Sequence, residues 1–260
     1  MIHVLQLGRI DYATALELQR SLVELRKRSE VGDVLLLLEH TPVITLGRNA
    51  KAEHVLASRE QLAARGVEVF ECDRGGDVTY HGPGQLVGYP IFDLRGELRG
   101  SAAPDGTRKT LGAVEFVRRL EEILIRTCAD FGISARRVAG CTGVWTEQTD
   151  AKVAAIGVHI SRGVTSHGFA LNVSTDLDAF RLIVPCGIPD KSVTSLEREL
   201  GTVPSREEVE QAIVRNFGVV FGSQILWVEN LEALLGGRTG VPMKPPAELR
   251  QMHGEEETWA

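Results

Sequence analysis

Val153-Ala154-Ala155-Ile156-Gly157-Val158-His159-Ile160, Ser161-Arg162-Gly163-Val164-Thr165-Ser166-His167 and Gly168-Phe169-Ala170-Leu171-Asn172-Val173-Ser174 read as one antiparallel hairpin. A turn centred between Arg162 and Gly163 sets Gly157 opposite Gly168 and Ala155 opposite Ala170, all on one side of the sheet. Two successive cross-strand pairs without bulk leave a shallow trough in which an extended chain can lie against the backbone. A helix packed closely on the small residues accounts for the same pattern, and both readings stay open on the sequence. Ser166 and His167 are neighbours on a strand, so their side chains point to opposite faces and do not form a nucleophile–base pair.

Outward from the hairpin, residues 143–146 read as another strand, and Leu111 to Phe131 as the clearest helix. Its apolar stripe is Val114, Val117, Leu120, Leu124, Cys128 and Phe131. Ser205-x-x-Glu208 after Pro204 caps a last long helix reaching about Phe221. Near the start, residues 11–29 have helical spacing with Asp11 as N-cap, and Tyr12, Ala15, Leu16, Leu22 and Leu25 on one side. Val34–Glu39 and Val43–Leu46 read as two strands joined by a short turn at His40-Thr41-Pro42. Ser58-x-x-Gln61 forms a capping box for a short helix ended by Gly66, with a strand over Val67–Phe70. A strand over Val87–Leu94 follows a glycine-rich segment. Residues 95–109 are polar with Gly and Pro and predict an exposed loop; 236–260 predicts a loosely held extension. The fold class expected is α+β, a single domain over residues 1–235 with a largely antiparallel mixed sheet covered by helices.

The 260 residues carry a net charge of −6, with 43% hydrophobic and 25% charged side chains, an ordinary globular composition. With so acidic a balance the chain lacks the broad positive field of a general nucleic-acid binder. No apolar run approaches the ~18 residues of a membrane span, and no leader is visible, so a cytoplasmic location is expected. Four scattered cysteines without a C-x-x-C pair predict reduced thiols and no metal site.

The glycine-rich segment runs Arg74-Gly75-Gly76-Asp77-Val78-Thr79-Tyr80-His81-Gly82-Pro83-Gly84-Gln85-Leu86. It lacks the Gly-Lys of a phosphate loop, the glycine spacing of a dinucleotide fingerprint and the serine of a nucleophile elbow. What remains is a backbone loop able to approach a ligand closely, or equally a tight crossover packed for shape.

Among the thiols, Cys128 falls on a helix's apolar stripe and reads as core. Asp73 beside Cys72 disfavours its thiolate, and Cys141 lies in a short glycine-bounded stretch, Gly140-Cys141-Thr142-Gly143. Cys186, in Ile183-Val184-Pro185-Cys186-Gly187-Ile188-Pro189, stands at a Pro-Cys-Gly corner and ranks first as nucleophile, with Cys141 second. A nucleophilic thiol needs a cation or base to ionise it; Arg181, Lys191 and the more distant Lys152 are available.

Together, Arg74-Gly75-Gly76-x-Val78-Thr79-Tyr80-His81-Gly82-Pro83-Gly84-Gln85-Leu86-Val87-x-Tyr89-Pro90, Gly143-Val144-Trp145, Lys152 to Val158, His167 to Val173 and Ile183 to Ile188 strongly resemble the lipoyl(octanoyl) transferases. The blocks occur in family order over about residues 30–220. The resemblance implies the biotin/lipoate protein ligase catalytic fold. It also implies transfer of an octanoyl group from octanoyl-acyl carrier protein to a lysine of a lipoyl-domain protein, the first step of endogenous lipoylation. The acceptors implied are lipoyl-domain subunits of 2-oxoacid dehydrogenases and the glycine cleavage H protein; no cofactor, nucleic acid or membrane is implied. Cys186 is matched to the thioester-forming cysteine and Lys152 to the lysine that lowers its pKa. Arg74, Gly75, Gly76, Asp77, Val78, Thr79, Tyr80 and His81, with Ala155, Ile156, Gly157, Gly168, Phe169 and Ala170, match the pocket lining.

In strict alternation Lys152 points to the face opposite Ala155 and Gly157, so either the strand starts after it or a bulge turns it inward. Acyl carrier proteins are acidic, so a basic rim is expected at the mouth, drawn from Arg48, Arg136, Arg137, Arg162 and Arg181. The competing readings are an ATP-dependent lipoate or biotin ligase of the same fold, weakened by the lack of a ligase-type Gly-Arg-Gly loop, and a non-catalytic lipoyl- or carrier-binding module.

Overall fold

The computed structural model describes residues 1–95, 110–184 and 192–236. Most of the expected loop (96–109) and the extension (237–260) lie outside the described residues. In chain order the elements begin with β1 (Ile2–Ile10), α1 (Tyr12–Lys27), β2 (Asp33–His40), β3 (Val43–Leu46), α2 (Arg59–Ala64), β4 (Glu68–Glu71), β5 (Val78–His81) and β6 (Gln85–Ile91). They continue with α3 (Ala113–Asp130), β7 (Ala135–Val138), β8 (Cys141–Thr146), β9 (Lys152–Ser161) and β10 (Val164–Asn172). The last are α4 (Leu196–Leu200), α5 (Arg206–Phe221), β11 (Ile225–Val228) and α6 (Leu231–Leu235).

An eight-stranded sheet has the order β11-β1-β2-β6-β10-β9-β8-β7, and a three-stranded sheet the order β4-β3-β5. β1 pairs in parallel with β11 and β2, and β3 with β4; the remaining pairs are antiparallel, so the mixed, largely antiparallel sheet expected is the one observed. Every residue of β2 is buried, as a continuous Val-Leu run demands of a strand covered on both faces. Leu35 and Leu37 face a core closed by α3 and α5, while Leu36 and Leu38 face one closed by α1. Asp11 caps α1 by accepting from the Thr14 backbone N–H at 2.8 Å, and Ser58 with Gln61 forms the expected capping box at α2.

The expected pairing across His40-Thr41-Pro42 does not form. β2 already has β1 and β6 on its two edges, so both its hydrogen-bond ladders are filled, and the chain passes at Thr41-Pro42 into the smaller sheet. β1 was not predicted; it is the strand whose addition makes β2 central.

The hairpin has the register read from its turn: Gly157 opposes Gly168 and Ala155 opposes Ala170. Arg162 (φ 50°) and Gly163 (φ 83°) make the two-residue left-handed turn that suits a twisted hairpin. The two glycines are filled by backbone rather than left open. A β-carbon at Gly157 would lie 2.7 Å from the Gly75 carbonyl oxygen, and one at Gly168 only 2.1 Å from that of Gly88. Gly168→Ala must therefore push β6 and β10 apart, and a destabilisation of about 2 kcal/mol or more is expected, read as a lowered urea midpoint. An unchanged midpoint would contradict this close approach.

Candidate active site

β5 and the β9–β10 hairpin face one another across a pocket of about 300 Å³. Strand alternation decides which of the sequence-predicted residues reach it. Thr79 and His81 line the pocket, while Val78 and Tyr80 point the other way into the core beneath the small sheet. Those two expected lining residues are thus backbone neighbours of the site and not part of its wall. Arg74, Gly75, Gly76, Asp77, Ala155, Ile156, Gly157, Gly168, Phe169, Ala170 and Lys152 all line it.

A bulge delivers Lys152. The pairing of β9 with β8 slips between Val144↔Ala154 and Trp145↔Lys152, so β9 carries one extra residue there. Val153 and Ala154 consequently both sit in the core, and Lys152 regains the pocket side occupied by Ala155. The lysine is only 7% exposed, and its ammonium lies 4.9 Å from the Trp145 ring centroid, a cation–π distance.

The glycine loop closes the pocket over Gly157. Gly75 N–H donates to the Val158 carbonyl at 3.0 Å. Arg74 is buried and pinned: Nε donates to Thr45 Oγ1 at 3.0 Å, Nη2 to the Thr45 carbonyl at 2.6 Å and Nη1 to the Gly75 carbonyl at 3.1 Å. Asp77 pairs with His54 at 2.5 Å and accepts from the Val78 N–H at 2.8 Å.

The inner end of the pocket is aromatic and uncharged. His40 Nδ1 donates to the Ile10 carbonyl at 3.1 Å and its Nε2 accepts from the Tyr89 hydroxyl at 2.7 Å. His81 Nδ1 donates to Gln85 Oε1 at 2.7 Å, and that amide donates on to Asn172 Oδ1 at 2.9 Å. Each imidazole thus fits its surroundings as the neutral form. Burial pushes the His40 pKa down to about 4, and burial lowers His81 and His167 as well. An unfolded histidine titrates near ~6.5, so below that pH the unfolded chain binds protons the folded one refuses. Stability is therefore complete above about pH 6.5 and is lost as the pH falls towards 4. At ~1.4 kcal/mol per pH unit, His40 alone accounts for about 3 kcal/mol over that window. Urea unfolding at pH 7 and pH 5 checks this, and equal free energies at the two would contradict it.

The four thiols separate. Cys128 is fully buried and its pKa is pushed up to about 12 by burial, then by Glu199, which makes it the core residue expected. Cys72 sits half-buried with its Sγ 3.5 Å from the Leu46 carbonyl. Cys141 lies on the pocket wall beside Thr142, which the sequence placed second as a nucleophile. Cys186 lies outside the described residues. Both flanks of its segment are fixed, however. Val184 N–H donates to the His54 carbonyl at 2.8 Å. Beyond the segment, Lys152 N–H donates to the Ser192 carbonyl and Thr194 N–H to the Lys152 carbonyl, each at 2.9 Å.

Asn49, Thr142, Tyr12, Tyr89 and His167 also line the pocket and were not predicted as site residues. Tyr12 reads in sequence as part of the apolar stripe of α1, and no spacing rule links it to a loop 60 residues away. Of the arginines expected to form a basic rim, Arg136 pairs with Asp150, Arg137 with Glu121 and Glu122, and Arg181 with Asp178. Those three are neutralised by neighbouring carboxylates, and Arg162 stands at the hairpin tip. Among the described residues no group of three His, Cys, Asp or Glu side chains is placed to hold a metal ion, and no helix is long and apolar enough to cross a membrane.

The fold is that of the lipoate-protein ligases. A lipoate-protein ligase A crystal structure bound with ATP superposes with a TM-score of 0.68 at 17% identity, covering 91% of this chain and 92% of that one. The bipartite ligase of Thermoplasma acidophilum gives 0.65 at 18% identity, covering 94% of this chain and all of that one. Residues 11–218 match the Lipoyl protein ligase A/B catalytic domain, and the chain belongs to that family. Proteins named octanoyltransferase are similar along nearly its whole length. That of Koribacter versatilis is 59% identical over 98% of both chains, and that of Acidobacterium capsulatum 61% identical over 90% of this chain and 96% of its own. Within the family the chain is an acyltransferase.

Proposed function

We propose that the protein transfers an octanoyl group from octanoyl-acyl carrier protein to a lysine of a lipoyl-domain protein, through a thioester on Cys186. The octanoyltransferase relatives support the acyl group and its use in lipoylation. The observation that carries the site is the bulge at Lys152. It sets a buried lysine on the wall of the pocket, with its own backbone hydrogen-bonded to Ser192 and Thr194, a short way along the chain past Cys186.

The chemistry follows from those groups. An ammonium beside a thiol favours the thiolate. The thiolate attacks the donor thioester carbonyl; a new sulfur–carbon bond forms, and the carrier's sulfur leaves and takes the Lys152 ammonium proton, which leaves that amine neutral. In the second step the acceptor lysine attacks the acyl-enzyme, Lys152 in its neutral form takes the amine proton, and Cys186 departs as thiolate. Backbone N–H groups of the glycine loop or near Gly187 would receive the developing oxyanion. Both steps begin from a thioester, so no ATP is consumed. The small side chains of Ala155 and Ala170 face the pocket of about 300 Å³, which has room for the acyl chain.

Incubation with octanoyl-acyl carrier protein and a lipoyl domain, without ATP, tests this. The acceptor is expected to gain the mass of one octanoyl group, whereas a gain that requires ATP and free octanoate would make the protein a ligase.

A further inference from the structure

The inner end of the pocket carries polar atoms that acyl transfer at Lys152 does not use. Of the two side chains that matter there, His167 keeps a buried Nδ1 without a hydrogen-bond partner, and the Tyr12 hydroxyl has only the weakly bonding Cys72 thiol beside it. Tyr12 is 1% exposed and His167 2% exposed, and both line the pocket. His167 holds a left-handed backbone, φ 55°, which a non-glycine residue adopts at a cost, and its N–H donates to Gln19 Oε1 at 2.8 Å. Its Nε2 donates to Asp73 Oδ1 at 2.7 Å, so the proton is on Nε2 and Nδ1 is left as an acceptor. The Tyr12 hydroxyl supplies a donor. Around them Tyr89, His40 and His81 are uncharged, and the nearest charges, Asp73 behind His167 and the guanidinium of Arg74, are each held in hydrogen bonds of their own.

The position of this wall is set by the strand. Ala170 lines the pocket with Lys152, and His167 stands three residues away along β10. At ~3.3 Å per residue that is about 10 Å, about the reach of an extended eight-carbon chain whose carbonyl lies at Lys152.

Resting on the octanoyl-transfer reading, we propose that Tyr12 and His167 form a polar end wall that selects the acyl chain by its terminus. The wall accepts eight-carbon chains ending in a hydroxyl at least as well as octanoyl and rejects hydrocarbons two carbons longer. A longer hydrocarbon seals the His167 acceptor and the weakly paired Tyr12 donor against apolar atoms, whereas a terminal hydroxyl both donates and accepts and can satisfy either.

The test is a one-pot competition of octanoyl, 8-hydroxyoctanoyl and decanoyl carrier-protein thioesters, read by the mass of the acylated lipoyl domain. The wild type is expected to use 8-hydroxyoctanoyl as well as octanoyl or better, and decanoyl about tenfold less, equivalent to ~1.4 kcal/mol. Tyr12→Phe, which keeps the ring and removes the donor, lowers the hydroxyoctanoyl-to-octanoyl ratio about tenfold and raises relative use of decanoyl. Asp73→Asn keeps the shape but replaces an obligate acceptor with an amide that can also donate to Nε2, which lets the His167 proton move to Nδ1 and lowers the same ratio, by less than Tyr12→Phe does. A wild type that handles octanoyl well but 8-hydroxyoctanoyl clearly worse, or ratios unmoved in both variants, overturns the end wall alone. A wild type that transfers no octanoyl overturns the underlying function and the end wall with it.

Discussion

Cys186→Ser is expected to lower kcat for octanoyl transfer by about a thousandfold or more, equivalent to ~4 kcal/mol of barrier. A serine hydroxyl is far from ionised at neutral pH, and neither an ammonium nor a backbone N–H brings it close to the thiolate's nucleophilicity. The acyl-enzyme divides a reaction between two proteins into two encounters; without a competent nucleophile the donor thioester and acceptor amine would have to meet in one site at once. Octanoylation of the acceptor, followed by mass over time, measures the loss. A variant within tenfold of the wild type would mean that another group carries the acyl chain, and Cys141, on the pocket wall, is the thiol placed to do so.

Lys152→Ala has the second largest expected effect and a distinctive pH dependence. An unassisted thiol titrates near ~8.5 and is only about 3% thiolate at pH 7, so removing the ammonium slows single-turnover acylation roughly thirtyfold at that pH. The sign of the pH effect follows. As pH rises through ~8.5 the thiol ionises by itself, so the deficit narrows towards pH 9. The second step, in which Lys152 takes the amine proton, does not recover in the same way. A deficit in acylation constant from pH 6.5 to pH 9 would remove Lys152 from the ionisation of Cys186 and leave it a structural residue beneath the Trp145 ring.

The hairpin was legible because two independent signals agreed. Arg162-Gly163 suits a left-handed turn, and the register it sets aligns small residues in facing pairs, which is how Gly157 and Gly168 meet. The use made of those pairs was only half legible: all four residues line the pocket, but the backbones of Gly75 and Gly88 stand where a β-carbon on either glycine would go. Lys152 illustrates the limit of alternation. One extra residue in β9 reverses its side, and a bulge of this kind leaves no composition signature in Lys152-Val153-Ala154-Ala155. Val78 and Tyr80 were grouped with the pocket because they are contiguous with Thr79 and His81, and the pleat of β5 separates them. Tyr12 was read as core for the opposite reason, since helical periodicity reports that a face is covered but not whether a cavity covers it. Three of the five arginines expected at the rim, Arg136, Arg137 and Arg181, pair with carboxylates; for Arg137 the partners lie 15 and 16 positions away, on α3. In the same way, no pattern within residues 34–46 reveals that β1 will occupy the edge of β2 that a hairpin partner would need.

The most direct test is to trap the reaction with octanoyl-acyl carrier protein alone, digest at acidic pH and locate the octanoyl mass by peptide sequencing. The account predicts a single hydroxylamine-sensitive octanoyl group on Cys186 in the wild type, absent from Cys186→Ser. An octanoyl group on Cys141, or acceptor octanoylation with no covalent intermediate on the enzyme, would contradict it.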